Sequence, residues 1–183
     1  FVNSANQSIV AYYRLLAPYI LKHYDKAIVM DCDIVAKTDI AKLYAIDVKD
    51  YCMAAALDVV WQGWYNGDKK IQKYCKNTLT LADPYKYVNT GVVLFNLEKC
   101  RKTISKEKLL EIAQSHKFIV QEQDVLNLVF DGKIKFIDIA WNMYAMVASH
   151  IKDTIDSFAP VAAKKDYYDA HKRPLLLHWA AQP

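Results

Sequence analysis

No apolar run in this 183-residue chain reaches the length of a membrane span, and no signal peptide opens it. Excess charge is scarce as well. A net charge of +4 is too small to mark a nucleic-acid binder, and it is compatible with an anionic small substrate. Cysteine is sparse: Cys32, Cys52, Cys75 and Cys100 stand 20, 23 and 25 residues apart. Those spacings fit neither a zinc site nor a dense disulfide framework. A reducing compartment is expected, with Cys32 and Cys52 as small buried residues near strands. Internal repeats and low-complexity segments are missing too. The chain begins at Phe1 rather than Met, which reads as a processed or excised piece of something longer.

What is present is enough apolar material for a core. Hydrophobic residues make up 54% and charged residues 24%, which excludes disorder and fits one compact domain over residues 1–183. The 13 Tyr and 4 Trp suit stacking on sugars or bases and serve equally as core filling. Ile9, Tyr12, Tyr13, Leu16, Ile20 and Leu21 recur at helical spacing, with Asn6 or Ser8 as a cap and a break at Pro18. Strands are expected over 27–30, 51–57, 87–95, 133–137 and 175–178. Short or amphipathic helices are expected after Thr38-Asp39, after Ser105 and over 123–130. Residues 59–85 read as a long loop with one helix near 70–77. Strands alternating with helices argue for an α/β fold with a mainly parallel central sheet.

The run Ala27-Ile28-Val29-Met30-Asp31-Cys32-Asp33 carries the chemistry. Four apolar residues lead into two carboxylates one residue apart, and in an extended strand such a pair projects to one side. Two acids so placed repel unless a cation sits between them, which points to a divalent-metal site at the carboxyl end of a buried strand.

With four further blocks this run resembles glycosyltransferase family 8, which includes glycogenin and bacterial lipopolysaccharide galactosyl- and glucosyltransferases. The blocks are YYRLLAPYIL at 12–21, YDKAIVMDCDIVAKTDIAKLY at 24–44, YVNTGVVLFNL at 87–97, QEQDVLNLVF at 121–130 and LLLHWAAQP at 175–183. The resemblance implies a Rossmann-like, GT-A type nucleotide-sugar transferase fold. It covers the central and C-terminal part of the catalytic domain, without the N-terminal strand–helix units. Ala181 stands where the family signature has Gly, and Pro183 precedes the signature Lys. Because the N-terminal units implied to hold the nucleobase are also outside this piece, it is expected to bind donor poorly or not at all.

Carried over residue by residue, the resemblance makes Asp31, Asp33 and His178 ligands of Mn²⁺ or Mg²⁺. Asp31, Cys32 and Asp33 become nucleotide-binding, and Arg14, Asn89, Thr90, Gly91, Glu122 and Gln123 donor-sugar-binding. Gly91 would allow close backbone approach to the sugar. Glu122 and Gln123 flank the reacting carbon, with Gln123 in a positioning role. Glu122 replaces the Asp of many members. The implied reaction is retaining, metal-dependent transfer of a hexose from UDP-glucose or UDP-galactose to a glycan, lipid-linked or protein-linked acceptor. A cytoplasmic location is implied, at the inner face of the membrane for a peripherally associated parent protein.

Plainer readings stand beside these. Arg14 can pair with an acid such as Asp25, Asn89 can serve a turn, Gln123 a helix start, and His178 can be a core residue. Trp61, Trp64 and Tyr65 either stack on an acceptor sugar or pack their loop onto the domain. Trp141-Asn142 reads as structural. Lys69-Lys70, Lys164-Lys165 and Lys172-Arg173 read as solvated faces. Asp31-Cys32-Asp33-Ile34-Val35 also fits a haloacid-dehalogenase-like phosphatase with Asp31 as nucleophile and Asp33 as acid. That reading needs a later acidic pair, for which Gly67-Asp68 is a poor match. The remaining alternative is a sugar-binding fragment without catalysis.

Overall fold

The computed structural model of the chain describes residues 9–145 and 149–179. The caps at Asn6 and Ser8, and Ala181 to Pro183, lie outside the described residues. The apolar run after Ile9 enters as a 3₁₀ helix over Ile9–Leu16 and passes at Pro18 into α1 (Ala17–Ile20). Proline suits the first turn of a helix, where its missing N–H costs nothing. Then come β1 (Lys26–Met30), β2 (Ile34–Ala36) and α2 (Ala41–Tyr44), whose first turn is capped by Asp39 accepting from the Ala41 N–H.

β3 (Met53–Leu57) and β4 (Val88–Asn96) form the middle of a four-stranded sheet of order β1-β4-β3-β5, with β5 at Ile134–Ile137. The sheet is mixed rather than mainly parallel: β1 and β3 both run antiparallel to β4, and β3 runs parallel to β5. The reason lies in the segment between β3 and β4. Leu57 is in register with Val88, and the Asp58 N–H donates to the Tyr87 carbonyl. The two strands are thus a hairpin, and the residues between them are an excursion from its tip instead of a crossover.

That excursion is helical, not a long loop. It contains α3 (Val59–Gly67), α4 (Lys69–Tyr74), a π-helical turn (Cys75–Leu79) and a 3₁₀ turn (Pro84–Lys86). Asp58 caps α3 by accepting from the Trp61 N–H, and Asp68 caps α4 by accepting from the Lys70 N–H. Trp61 is 1% exposed and stacks on Tyr87 with ring centroids 4.0 Å apart, so it anchors the excursion to the main core. α5 (Leu97–Thr103) and α6 (Lys106–Ser115) follow, with Ser105 capping α6 as expected, and then α7 (Gln121–Val129).

A second, three-stranded sheet has the order β2-β7-β6, with β6 at Met143–Tyr144 and β7 at Leu176–His178. Two amphipathic helices, α8 (Ser149–Phe158) and α9 (Val161–Lys172), lead into β7. Their apolar residues Ile151, Ile155, Tyr167 and Ala170 pack with Val59 and Val60 of α3 in a separate core cluster. Two further readings need correction. β1 lies at an edge of the described sheet, so its side chains are only half-buried, and Cys32 beyond it is exposed whereas Cys52 is buried. No helix of the described residues is long and apolar enough to cross a membrane.

α3 meets α8 where Gly63 has no side chain: a β-carbon there would lie 2.8 Å from Thr154 Cγ2 and 3.0 Å from the Thr154 carbonyl oxygen. Gly63→Val therefore forces the helices apart and lowers stability by about 1–3 kcal/mol, read as a lower urea midpoint. An unchanged midpoint would contradict the close packing.

Candidate active site

Asp31 follows the last residue of β1, and Asp33 precedes the first of β2. Strand alternation therefore does not bring the acidic pair together; pairing between elements does. The Asp31 N–H donates to the Gly91 carbonyl at 2.9 Å, tying it to β4. In the small sheet Ile34 is in register with His178, and the Trp179 N–H donates to the Asp33 carbonyl. As a result His178 Nε2 lies 3.3 Å from Asp31 Oδ2 and 3.3 Å from Asp33 Oδ1. One ligating atom from each of the three residues falls within 4.8 Å of the others.

Asn142 sets the state of the imidazole. Its Nδ2 donates to Asn89 Oδ1 at 2.7 Å, so its oxygen faces His178 Nδ1, 2.8 Å away. Nδ1–H donates to that oxygen, which leaves the Nε2 lone pair aimed at the two carboxylates. Three electron-pair donors pointing at one place suit a hard divalent cation, and two oxygens with one nitrogen are an appropriate donor set. Gly91 makes room for this. A β-carbon on it would sit 2.3 Å from His178 Cε1 and 3.0 Å from Asp31 Oδ2. The expected reason for glycine was access for a sugar; the structure places the histidine ring there. Asn142, read as structural from the sequence, is part of the site.

Two of the three groups, Asp31 and His178, border a pocket of about 490 Å³. Of the residues singled out from the sequence, Arg14, Asp31, Asn89, Thr90, Gly91, Glu122, Gln123 and His178 line it, whereas Cys32 and Asp33 do not. The Arg14 side chain bridges Asp31, Glu122 and the Thr90 carbonyl; a pairing with Asp25 is not seen. Burial pushes the Asp31 carboxyl up, but contacts with His178 and the Arg14 guanidinium outweigh it and hold the group below its ordinary value. Gln123 is committed at both ends: its oxygen accepts from the Thr90 N–H at 3.0 Å and its Nε2 donates to Asp58 Oδ2 at 3.1 Å.

Asp58 escaped notice as a site residue. It is 6% exposed, lines the pocket, and accepts also from Asn89 Nδ2 at 3.2 Å. Burial raises its carboxyl despite these bonds. Its position, an acid at the carboxyl end of β3, is the same signal that drew attention to Asp31. Tyr144, which accepts from Asn89 Nδ2 at 2.9 Å, and His150 also line the pocket and carried no sequence signal; Trp64, one of the aromatics the sequence offered for acceptor stacking, lines it too.

Beneath the pocket the buried Asp124 accepts from the Tyr87 hydroxyl at 2.6 Å, the Tyr74 hydroxyl at 2.8 Å and the Val120 N–H at 2.7 Å. This bracket fixes the start of α7, where Gln121 takes a left-handed φ of 45° beside Glu122 and Gln123. Such a backbone in a non-glycine residue persists only where its surroundings over-determine it. Asp68, the acid that the phosphatase reading would need, caps α4 and does not line the pocket.

A family model described as Glycosyl transferase family 8 matches residues 1–182. General stress protein A of Bacillus subtilis is 24% identical over 97% of this chain, which spans 59% of that relative. Among solved structures, the WbbM bifunctional glycosyltransferase in its apo form superposes with a TM-score of 0.83 at 25% identity, covering 97% of this chain and 32% of that one. The galactosyltransferase LgtC, solved with donor and acceptor sugar analogs, gives 0.70 at 21% identity, covering 99% and 62%. The fold is thus of the GT-A type. The chain spans less than two thirds of each of these proteins.

Burial raises the Glu122 carboxyl and Arg14 only partly opposes it, so the folded protein holds a proton there that the unfolded chain has lost. The stability this contributes is complete below the unfolded value, roughly pH 4.3, and is lost as pH rises through the raised native value. Glu122→Gln keeps an acceptor for Arg14 and cannot ionise. Its melting temperature should gain on wild type as pH rises from about 4 to about 7; a constant difference would refute the assignment.

Proposed function

The chain belongs to glycosyltransferase family 8, and from that premise we propose that it transfers a hexose from UDP-galactose or UDP-glucose to a glycan or glycoconjugate acceptor. The family makes it a transferase that uses a nucleotide-sugar donor and a glycan acceptor. The convergence of Asp31, Asp33 and His178 beside an acid- and amide-lined pocket carries the finer reading.

In this reading Asp31, Asp33 and His178 hold Mn²⁺ or Mg²⁺. When bound, the cation neutralises charge developing on the leaving diphosphate. Asn142 keeps His178 in the ligating tautomer, and Gly91 keeps the ring within reach. Asp31 and Cys32 adjoin the nucleotide. Arg14, Asn89 and Thr90 hold sugar hydroxyls, and Asn89 is itself steadied by Asp58, Tyr144 and Asn142.

Transfer with retention passes through a sugar that carries positive charge at the anomeric carbon. Asp58 and Glu122 bring carboxyl oxygens to the same cavity, where they face that charge. Gln123 positions rather than attacks, because both ends of its amide are engaged. Trp64, on the pocket wall, is suited to stack on the acceptor, whereas Trp61 is spent in the core and Tyr65 faces elsewhere. Residues 1–183 act within one catalytic domain, located in the cytoplasm at the inner face of the membrane.

The test is UDP release from UDP-galactose with Mn²⁺, alongside Mn²⁺ titration by calorimetry. Asp31→Asn and Asp33→Asn should each lose UDP release by about a hundredfold or more. Gly91→Ala changes no ligand, yet it should weaken Mn²⁺ binding at least tenfold, because its methyl occupies the place of the His178 ring. Wild-type release in all three variants would overturn the reading, and metal affinity unchanged in Gly91→Ala would remove His178 from the ligand set.

A further inference from the structure

Several surface lysines are matched by acids: Lys102 by Glu98, Lys108 by Glu111, Lys152 by Asp156, and both Lys165 and Lys172 by Asp169. On α4 and its π-helical continuation no lysine is so matched. Lys69, Lys73 and Lys76 have no carboxylate partner among the described residues. The nearby acids are already engaged, Asp68 in capping α4 and Asp83 in capping the 3₁₀ turn and pairing with Lys86. The opposite side of this helical stretch is committed inward, with Leu79 buried and the Tyr74 hydroxyl on Asp124.

A solvated convex face would spread such ammonium groups apart. Here the three lysines border one hollow of about 630 Å³ with Tyr65, Gln72 and Asn77, and no acid lines it. Like charges gathered around a concavity repel one another and raise its potential for anions. Gln72 gives its Nε2–H to the Tyr65 carbonyl, so the edge of the hollow is held in shape. The hollow sits on the flank of the excursion that also walls the transfer pocket. Trp64 lines the pocket and the next residue, Tyr65, lines the hollow.

We infer that this hollow is a second anion site, separate from the one around Asp31, which takes a group bearing two or more phosphate charges. Lysine ammoniums are compact, strongly hydrated point charges that suit phosphate oxygens. A single carboxylate would leave two of the three charges unmatched. A hollow bordered by three lysines, instead of a long basic stripe, fits a discrete phosphate cluster better than a nucleic-acid strand. The phosphate could come from a soluble phosphorylated ligand or from a lipid headgroup. The chemistry is shared, and the site does not depend on the transfer reaction proposed above.

The probe is inorganic pyrophosphate, titrated into the full chain at low salt without divalent cation, so that the Asp31–Asp33–His178 site has nothing with which to hold it. Lys73→Gln/Lys76→Gln should bind about tenfold more weakly than wild type. Lys73→Arg/Lys76→Arg should retain binding, and Lys22→Gln/Lys117→Gln, which removes the same charge elsewhere, should match wild type. UDP release should be unaltered in every one of these variants, which separates this test from that of the transfer site. Co-sedimentation with phosphatidic acid vesicles over phosphatidylcholine alone, lost in the Gln variant, would assign the phosphate to a lipid headgroup; pyrophosphate binding without vesicle binding would assign it to a soluble ligand. Equal weakening by the two Gln variants, citrate binding as tight as pyrophosphate, or binding of neither probe would overturn the inference.

Discussion

Two carboxylates and an imidazole cannot share a few ångströms without something to hold them there. Asp31 and Asp33 repel each other, and the lone pair of His178 adds to the negative potential between them. Each part of the surroundings offsets that cost. Backbone pairing of Asp31 with Gly91 and of Trp179 with Asp33 fixes the main chain. Arg14 draws charge from the outer side of Asp31. Asn142 uses the one ring proton of His178, which leaves the centre of the triad to a cation. The order of the small sheet, with β7 between β2 and β6, is what allows a histidine near the end of the chain to meet an acid near its start.

Around this constraint the pocket is a continuous polar lattice. Asn142 touches Asn89, Asn89 touches Asp58 and Tyr144, Asp58 touches Gln123, and Gln123 touches Thr90. Each member is oriented by the next, so the acids and amides facing the cavity have few alternative rotamers. Asp124 extends the lattice into the core through Tyr74 and Tyr87, and through Tyr87 to Trp61. The helical excursion between β3 and β4 is therefore tied both to the site and to the hydrophobic interior.

Much of the site was legible in the sequence because short blocks carried it: Asp31 and Asp33 in one, Asn89 to Gly91 in another, Glu122 and Gln123 in a third. Asn142 and Tyr144 were not, because single residues outside such blocks announce nothing until the strands are paired, and Asp58 offered only a lone acid at a strand end where Asp31 had a partner acid beside it. The strands themselves were readable from apolar runs, but their direction was not. An alternation of strand and helix suggests crossovers, and only the bond from Asp58 to Tyr87 reveals a hairpin with a helical tip. Residues 59–85 looked loop-like because glycines and aromatics interrupt the pattern. The glycines turned out to serve close packing, Gly63 against Thr154 and Gly67 against the Phe158 ring.

The triad also spans two sheets that share no strand: Asp31 hangs from the edge of the larger one, and His178 belongs to the smaller. The smaller sheet is built from strands of three, two and three residues, too short to be robust alone. A cation gripped from both sides would act as a rivet between them. By thermodynamic linkage its binding energy would then serve to keep the β2–β7–β6 unit docked, so that occupancy and local order rise and fall together.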